Sequence, residues 1–394
     1  MSFQLFPLKK TIADVDGFFC DGTNAGLKPK DLDLGFIYSD TLCNVAATFT
    51  TNRFQAAPLR HFQKHAITKT NFILANSKNA NAMTGDAGIA DIEEILSSLQ
   101  QRFPITNPIM SSTGVIGVRL PKEKIIDAAM KFDLTKKDDL AFARSIMTTD
   151  TFEKRIGFEV VLDDEKSFRI AGVAKGAGMI DPAMATMLCF VVTDAAIDPN
   201  TMQELLRQKV EKTFNAISVD GDRSTNDSVF LLANGKSGNY EEEAFAFALE
   251  KILHHLALLI VKDGEGATKL VAFDITGAKD DKEAAIAAKA LTNSLLVKTA
   301  LFGEDPNWGR IAATIGASGV ECEESKLRIA FEDVVVYDRG VIHFDKEQER
   351  KAHEVMKKDE FTIYCDLGVG DGKFRAYGCD LGYDYVKINA EYRT

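Results

Sequence analysis

The six cysteines of this 394-residue chain never stand at C-x-x-C spacing, and none has a histidine close enough to suggest a zinc knuckle. Cys20, Cys43, Cys189, Cys322, Cys365 and Cys379 are expected as reduced, mostly buried thiols. Positive charge is short: 47 Lys and Arg face 58 Asp and Glu, a formal net charge of −11. That balance argues against nucleic acid or an anionic membrane surface as a partner and leaves only a local basic pocket. The N-terminal segment lacks the charged-then-apolar order of a signal peptide. No apolar run is expected to reach the roughly 18 residues that a membrane crossing needs. These absences give the expectation of a cytoplasmic protein.

Motifs for nucleotides and metals are also incomplete. Gly235-Lys236-Ser237 resembles the end of a phosphate loop, but Phe230 occupies the earlier glycine position, so a hairpin turn after Val229–Leu232 is expected. Gly176 and Gly178 begin a dinucleotide fingerprint whose third glycine position is Asp181. The Asp220–Asp227 stretch has the carboxylate density of a calcium loop, with Thr225 at its sixth position and Leu231 at its twelfth. His61 and His65 lie in a polar stretch and His254 and His255 on a helix; structural or surface roles are expected for them. No metal and no resident cofactor is anticipated.

Hydrophobic residues make up 45% of the chain, a normal globular share. Ile89, Ile92, Leu96 and Leu99 share a helical face, as do Met202, Leu205, Leu206 and Val210. Helices are also expected over 242–261 and 281–301. Strands are expected over 71–75, 157–162, 270–275 and 333–337. The pattern is mixed α and β with antiparallel hairpins. The charge runs 136–139 and 280–283 read as solvated loops or helix starts. No Pro/Gly/Ser-rich linker divides the chain, and no solenoid-like repeat is visible.

The most informative stretch is 175–188, in which glycines and small residues lead to one hydroxyl, Thr186, and then to an apolar run. A threonine hydroxyl is a poor nucleophile without a base beside it. As the first residue of a chain it gains its own α-amine as that base. For Thr186 this requires a cut between Ala185 and Thr186. The alternative is a tight turn entering a buried strand, with Thr186 a β-branched strand residue. From the stretch alone the strand reading is favoured. Cys189, inside the apolar run, reads as a packed thiol.

Polar clusters recur along the chain: Thr51-Asn52-Arg53, Ala75–Ala82, Ser111–Gly117, Thr148–Thr151, Asp220–Asp227, Asp263–Lys269, Asp305–Arg310 and Tyr385–Thr394. In this order, together with 175–188, they resemble the ornithine acetyltransferase (glutamate N-acetyltransferase) family of arginine biosynthesis, from about residue 10 onward. Lys78 stands where glycine is expected, and Asp181 at a variable position.

The resemblance implies an α+β fold, the layered α/β/β/α sandwich shared with β-aminopeptidases, with an N-terminal-nucleophile threonine. It implies self-cleavage into an α-chain, 1–185, and a β-chain, 186–394, as one intertwined unit assembled into a heterotetramer of two of each. It further implies ping-pong transfer of acetyl from N2-acetylornithine to L-glutamate on Thr186. Thr113 and Gly114 would form the oxyanion hole, and Thr148 or Thr149, Lys175, Thr186, Glu265, Asn389 and Thr394 would bind substrate. Some members also use acetyl-CoA as a co-substrate, and no residue pattern here separates the two cases. An aminopeptidase or amidase on the same scaffold is the alternative activity. A non-enzymatic member is disfavoured by the presence of Lys175, Thr186, Thr113 and Glu265.

Overall fold

Alternation of side chains across the strands decides the architecture. The structure, a computed structural model, describes residues 3–163, 165–181 and 187–391. Its strands are β1 (Phe3–Pro7), β2 (Phe18–Thr23), β3 (Leu34–Phe49), β4 (Lys69–Asn76), β5 (Ile109–Ser112), β6 (Lys154–Leu162), β7 (Ser167–Lys175), β8 (Leu188–Thr193) and β9 (Ser228–Ala233), followed by β10 (Leu270–Ala278), β11 (Arg328–Phe331), β12 (Val334–Asp338), β13 (Val341–Ile342), β14 (Glu360–Asp366) and β15 (Gly372–Cys379). The first nine form one sheet in the order β1-β6-β7-β8-β9-β3-β4-β5, with β2 also on β3.

β3 folds this sheet over on itself. Its first half pairs with β2 and β4, its second half with β9, and the register with β4 shifts between Tyr38 and Cys43. Ile37, Ile73 and Ile109 of one layer thereby meet Val173, Phe190, Val192 and Phe230 of the other in a single core. The alternate residues point outward. Phe36, Phe72, Leu74 and Met110 pack under helices Gly85–Arg102 and Lys122–Ala129. Ile170, Cys189, Val191 and Leu231 pack under helices Pro199–Lys212 and Glu242–Lys262. The result is the expected α/β/β/α sandwich, with both faces of its central strands buried.

A second sheet, β13-β12-β11-β14-β10-β15, carries its own core beneath helices Asp281–Asn293, Trp308–Ala317 and Lys346–Met356. The expected continuous helix over 281–301 is two, Asp281–Asn293 and Leu295–Phe302, bent by 56°. Ser294 breaks it, its hydroxyl accepting the Val297 N–H as a fresh N-cap. The expected hairpin after β9 is also corrected. The Gly238 N–H closes a turn on the Gly235 carbonyl, but a helix capped by Glu241 follows instead of a strand.

The expectation for apolar runs fails at Glu242–Lys262, which is long and apolar enough to cross a membrane, with mean hydropathy 1.7. Over half of that stretch is buried in the sandwich core, which accounts for its composition. The run 136–139 is not all solvated. Asp139 is buried, accepting from the Thr11 N–H and hydroxyl and from Arg155. Five of the six cysteines are buried and Cys322 is half-buried. Burial pushes the Cys189 thiol well above its usual range, as expected of a packed thiol.

Phe190 is wholly buried between the two layers, its ring 5.5 Å from Phe142 and 6.0 Å from Phe230. Phe190→Ala is expected to destabilise the fold by about 3–5 kcal/mol in urea unfolding.

Candidate active site

The ends of β5 and β7 and the starts of β8 and β9 meet at one end of the sandwich, where Lys175 pairs with Leu188 and Leu188 with Ser228. A cavity of about 220 Å³ opens there. The candidate residues Thr113, Gly114, Thr148, Thr149, Lys175, Glu265 and Asn389 all line it. Ala185, Thr186 and Thr394 lie outside the described residues.

Thr113 and Gly114 follow β5 directly. The Thr113 and Val115 amides are used on the Asn76 and Lys78 carbonyls, at 3.0 and 3.1 Å. Among the described residues, the Thr113 hydroxyl and the Gly114 N–H between them have no hydrogen-bond partner, so two donors are left for a ligand. Gly114 has φ +130°, and a Cβ there would collide with the Lys78 carbonyl carbon, so no other residue fits. Lys78 itself sits at φ +72°, which explains why glycine is expected at its position.

Lys175 is the last residue of β7 and is buried, its ammonium 3.4 Å from the Thr148 hydroxyl. Burial pushes its pKa down, while Asp150 and Asp227 oppose that shift. The Asp150 side chain is fully buried. Its carboxylate accepts from Lys154 at 2.7 Å, from the Gly176 N–H at 2.7 Å and from the Thr148 N–H at 2.9 Å. Burial alone would raise its pKa, but the Lys154 and Lys175 charges and these bonds hold it below the usual carboxylate range. Lys154 also reaches Asp263 at 2.5 Å, and Asp263 accepts from the Thr151 N–H and hydroxyl.

Glu265 faces the segment from the other side. Its N–H donates to the Ala177 carbonyl at 2.9 Å, and its carboxylate accepts from Asn389 at 2.6 Å. A Cβ on Gly178 would collide with that carboxylate, so glycine lets the acid lie against the chain. Asp220 accepts from the Met179 and Ile180 N–H groups at 2.6 and 2.8 Å. Tyr385 donates to Asp220 at 3.3 Å. The calcium-like carboxylate density thus includes a backbone clamp.

Sequence reasoning did not single out Asp150, Asp220, Asn226 or Tyr385 individually, though each falls in a polar cluster. Buried Asn226 donates to the Ala80 and Ser112 carbonyls, at 2.6 and 2.8 Å, joining the two segments behind Thr113. No spacing rule announces such a contact.

Fold and cavity define a class: a layered α/β sandwich holding, at one end, a small site lined, among the described residues, by the cation of Lys175, the carboxylates of Asp220, Asp222 and Glu265, and the donors of Thr113 and Gly114. Comparisons make it specific. A model described as the ArgJ family matches residues 19–394. The arginine biosynthesis bifunctional protein ArgJ of Wolinella succinogenes is 60% identical over 395 residues, covering 100% of both chains. A glutamate N-acetyltransferase of Methanopyrus kandleri is 44% identical, covering 94% of this chain and 97% of its own. The crystal structure of the arginine biosynthesis bifunctional protein argJ from Bacillus halodurans matches at 42% identity and TM-score 0.49, over 52% of this chain and 98% of that one. The chain belongs to the ArgJ family.

Asp150→Asn keeps the shape but leaves buried cations undercompensated, and is expected to cost about 3–5 kcal/mol. The native carboxyl lies below the ordinary Asp value of about 3.9. Its stabilisation is therefore complete above that value and lost as pH falls through the lower, folded value. Urea unfolding should show the gap between wild type and variant narrowing below about pH 4.

Proposed function

We propose that this protein is a glutamate N-acetyltransferase of arginine biosynthesis, moving acetyl from N2-acetylornithine to L-glutamate on Thr186. The observation that carries this is convergence. Seven residues dispersed from Thr113 to Asn389, each implied by the family pattern, line one cavity. Thr186 is two residues from Leu188, the register partner of Lys175.

Hydrolysis between Ala185 and Thr186 frees an α-amine with a reference pKa of about 7.7–8.0, suited to a base at neutral pH. That amine takes the hydroxyl proton as Thr186 Oγ attacks the acetyl carbonyl carbon. The developing oxyanion receives hydrogen bonds from the Thr113 hydroxyl and the Gly114 N–H. Collapse breaks the amide C–N bond, the proton passes to the departing amine, and ornithine leaves an acetyl-threonine ester. The glutamate amine then attacks the ester, and its proton returns through the same α-amine. Lys175 and Glu265 offer opposite charges to amino-acid substrates. The word bifunctional in the name of the 60% identical relative supports acetyl-CoA as a second donor. The same reading carries the expectations of a cytoplasmic enzyme and of two copies of each chain.

On a denaturing gel the 43.3 kDa band is expected to be replaced by two fragments, one beginning at Thr186, while Thr186→Ala stays whole. An active wild type that remains uncut would refute the N-terminal-amine mechanism. Purified protein is expected to form N-acetylglutamate from glutamate with either donor, and Thr113→Val to lower kcat by about 10²–10³. Free acetate released without glutamate would instead favour the amidase reading.

A further inference from the structure

Helix Ala57–Lys64 packs beside helix Gly85–Arg102. His61 and His65 stand one turn apart at its C-terminal end, their rings 4.5 Å between centroids. Glu93, on the neighbouring helix, completes a group whose ligand atoms all lie within 4.8 Å of one another. A tetrahedral ion with bonds of about 2.0–2.1 Å holds its ligands roughly 3.3 Å apart. His65 Nε2 and Glu93 Oε1, at 3.4 Å, already have that spacing. His61 is buried, whereas His65 is exposed and can turn toward it. The three line a cavity of about 310 Å³, distinct from the catalytic one, which leaves room for a water as fourth ligand.

We propose that His61, His65 and Glu93 form a binding site for a divalent transition-metal ion such as Zn²⁺. Two imidazoles and a carboxylate are the donor set that suits this ion, and a position open to solvent is compatible with it. Lys64 is the competitor: its ammonium holds Glu93 at 2.9 Å and must release it when the ion enters. The bound ion would clamp the two helices together. The start of helix Ala57–Lys64 is tied to the catalytic end, with the Ala56 N–H on the Thr225 carbonyl and the Ala57 N–H on that of Asn81, each at 2.9 Å. Thr225 lines the catalytic cavity, so the clamp would brace that wall without touching substrate. This inference is independent of the acetyl-transfer reading.

The test is titration of full-length protein with Zn²⁺ alone against a chromogenic chelator, followed by thermal unfolding with and without the ion. One ion per chain is expected, with a raised Tm. His65→Gln and Glu93→Gln, both solvent-accessible and compatible with folding, should each weaken binding by about tenfold or more. Lys64→Gln, which removes the competing ammonium, should tighten it. Absence of binding at millimolar Zn²⁺ would overturn the proposal. So would binding that His65→Gln and Glu93→Gln leave unchanged, since the ion would then sit elsewhere.

Discussion

The Asp150 carboxylate is the constraint on which the cavity end of the sandwich depends. Burying an ion is costly unless its lone pairs are filled and its charge is matched. Here Lys154 and the Gly176 N–H fill one oxygen, and the Thr148 N–H fills the other. Those bonds place Thr148 and the residue after Lys175 in one rigid frame. Lys154 hands the frame on to Asp263, two residues before Glu265. Lys175 and Glu265, which line the cavity, are therefore joined through one buried network and not set by two independent loops.

Asp220 performs the complementary task a few residues further on. It holds the Met179 and Ile180 N–H groups, and the Ile180 carbonyl in turn accepts from the Val219 N–H and the Ser218 hydroxyl. Asp181 is paired with Lys289 at 2.5 Å. From Gly176 to Asp181 the chain is thus fastened from three separate segments, by the carboxylates of Asp150 and Asp220 and the ammonium of Lys289. Among the described residues, the Thr113 hydroxyl and the Gly114 N–H have no partner, while the Thr113 and Val115 amides are tied to the Asn76 and Lys78 carbonyls. Fixed donors that need no reorganisation are what an acyl-transfer site requires.

Much of this was legible where period and order suffice. The stripe Ile89-Ile92-Leu96-Leu99 became the helix over β3 and β4, and the apolar run after Thr186 became β8, buried on both faces. The order of polar clusters located the cavity residues. What escaped was set by distant partners. β3 serves both layers because of a register shift opposite β4, which no local pattern marks. Asp139 looks like a surface charge in sequence and is buried because Thr11 and Arg155 come to it. His61 and His65 read as polar-stretch histidines until a second helix brings Glu93 beside them.

The same fastening bears on how a chain could be cut at Ala185-Thr186 and survive. Ordinary nicking takes exposed loop tips, whereas this bond abuts the apolar run of β8. On the segment before it, Asp150, Asp220 and Lys289 hold residues 176 to 181. After it, the Met187 carbonyl accepts from the Ser228 N–H at 3.0 Å, and β8 lies between β7 and β9. Each side has its own anchors, and β7 and β8 remain hydrogen-bonded partners whether or not the connection between them is covalent. Cleavage would then release little stabilisation. Its chief consequence would be chemical: a new α-amine on the residue that carries the hydroxyl, two positions before β8 begins at Leu188.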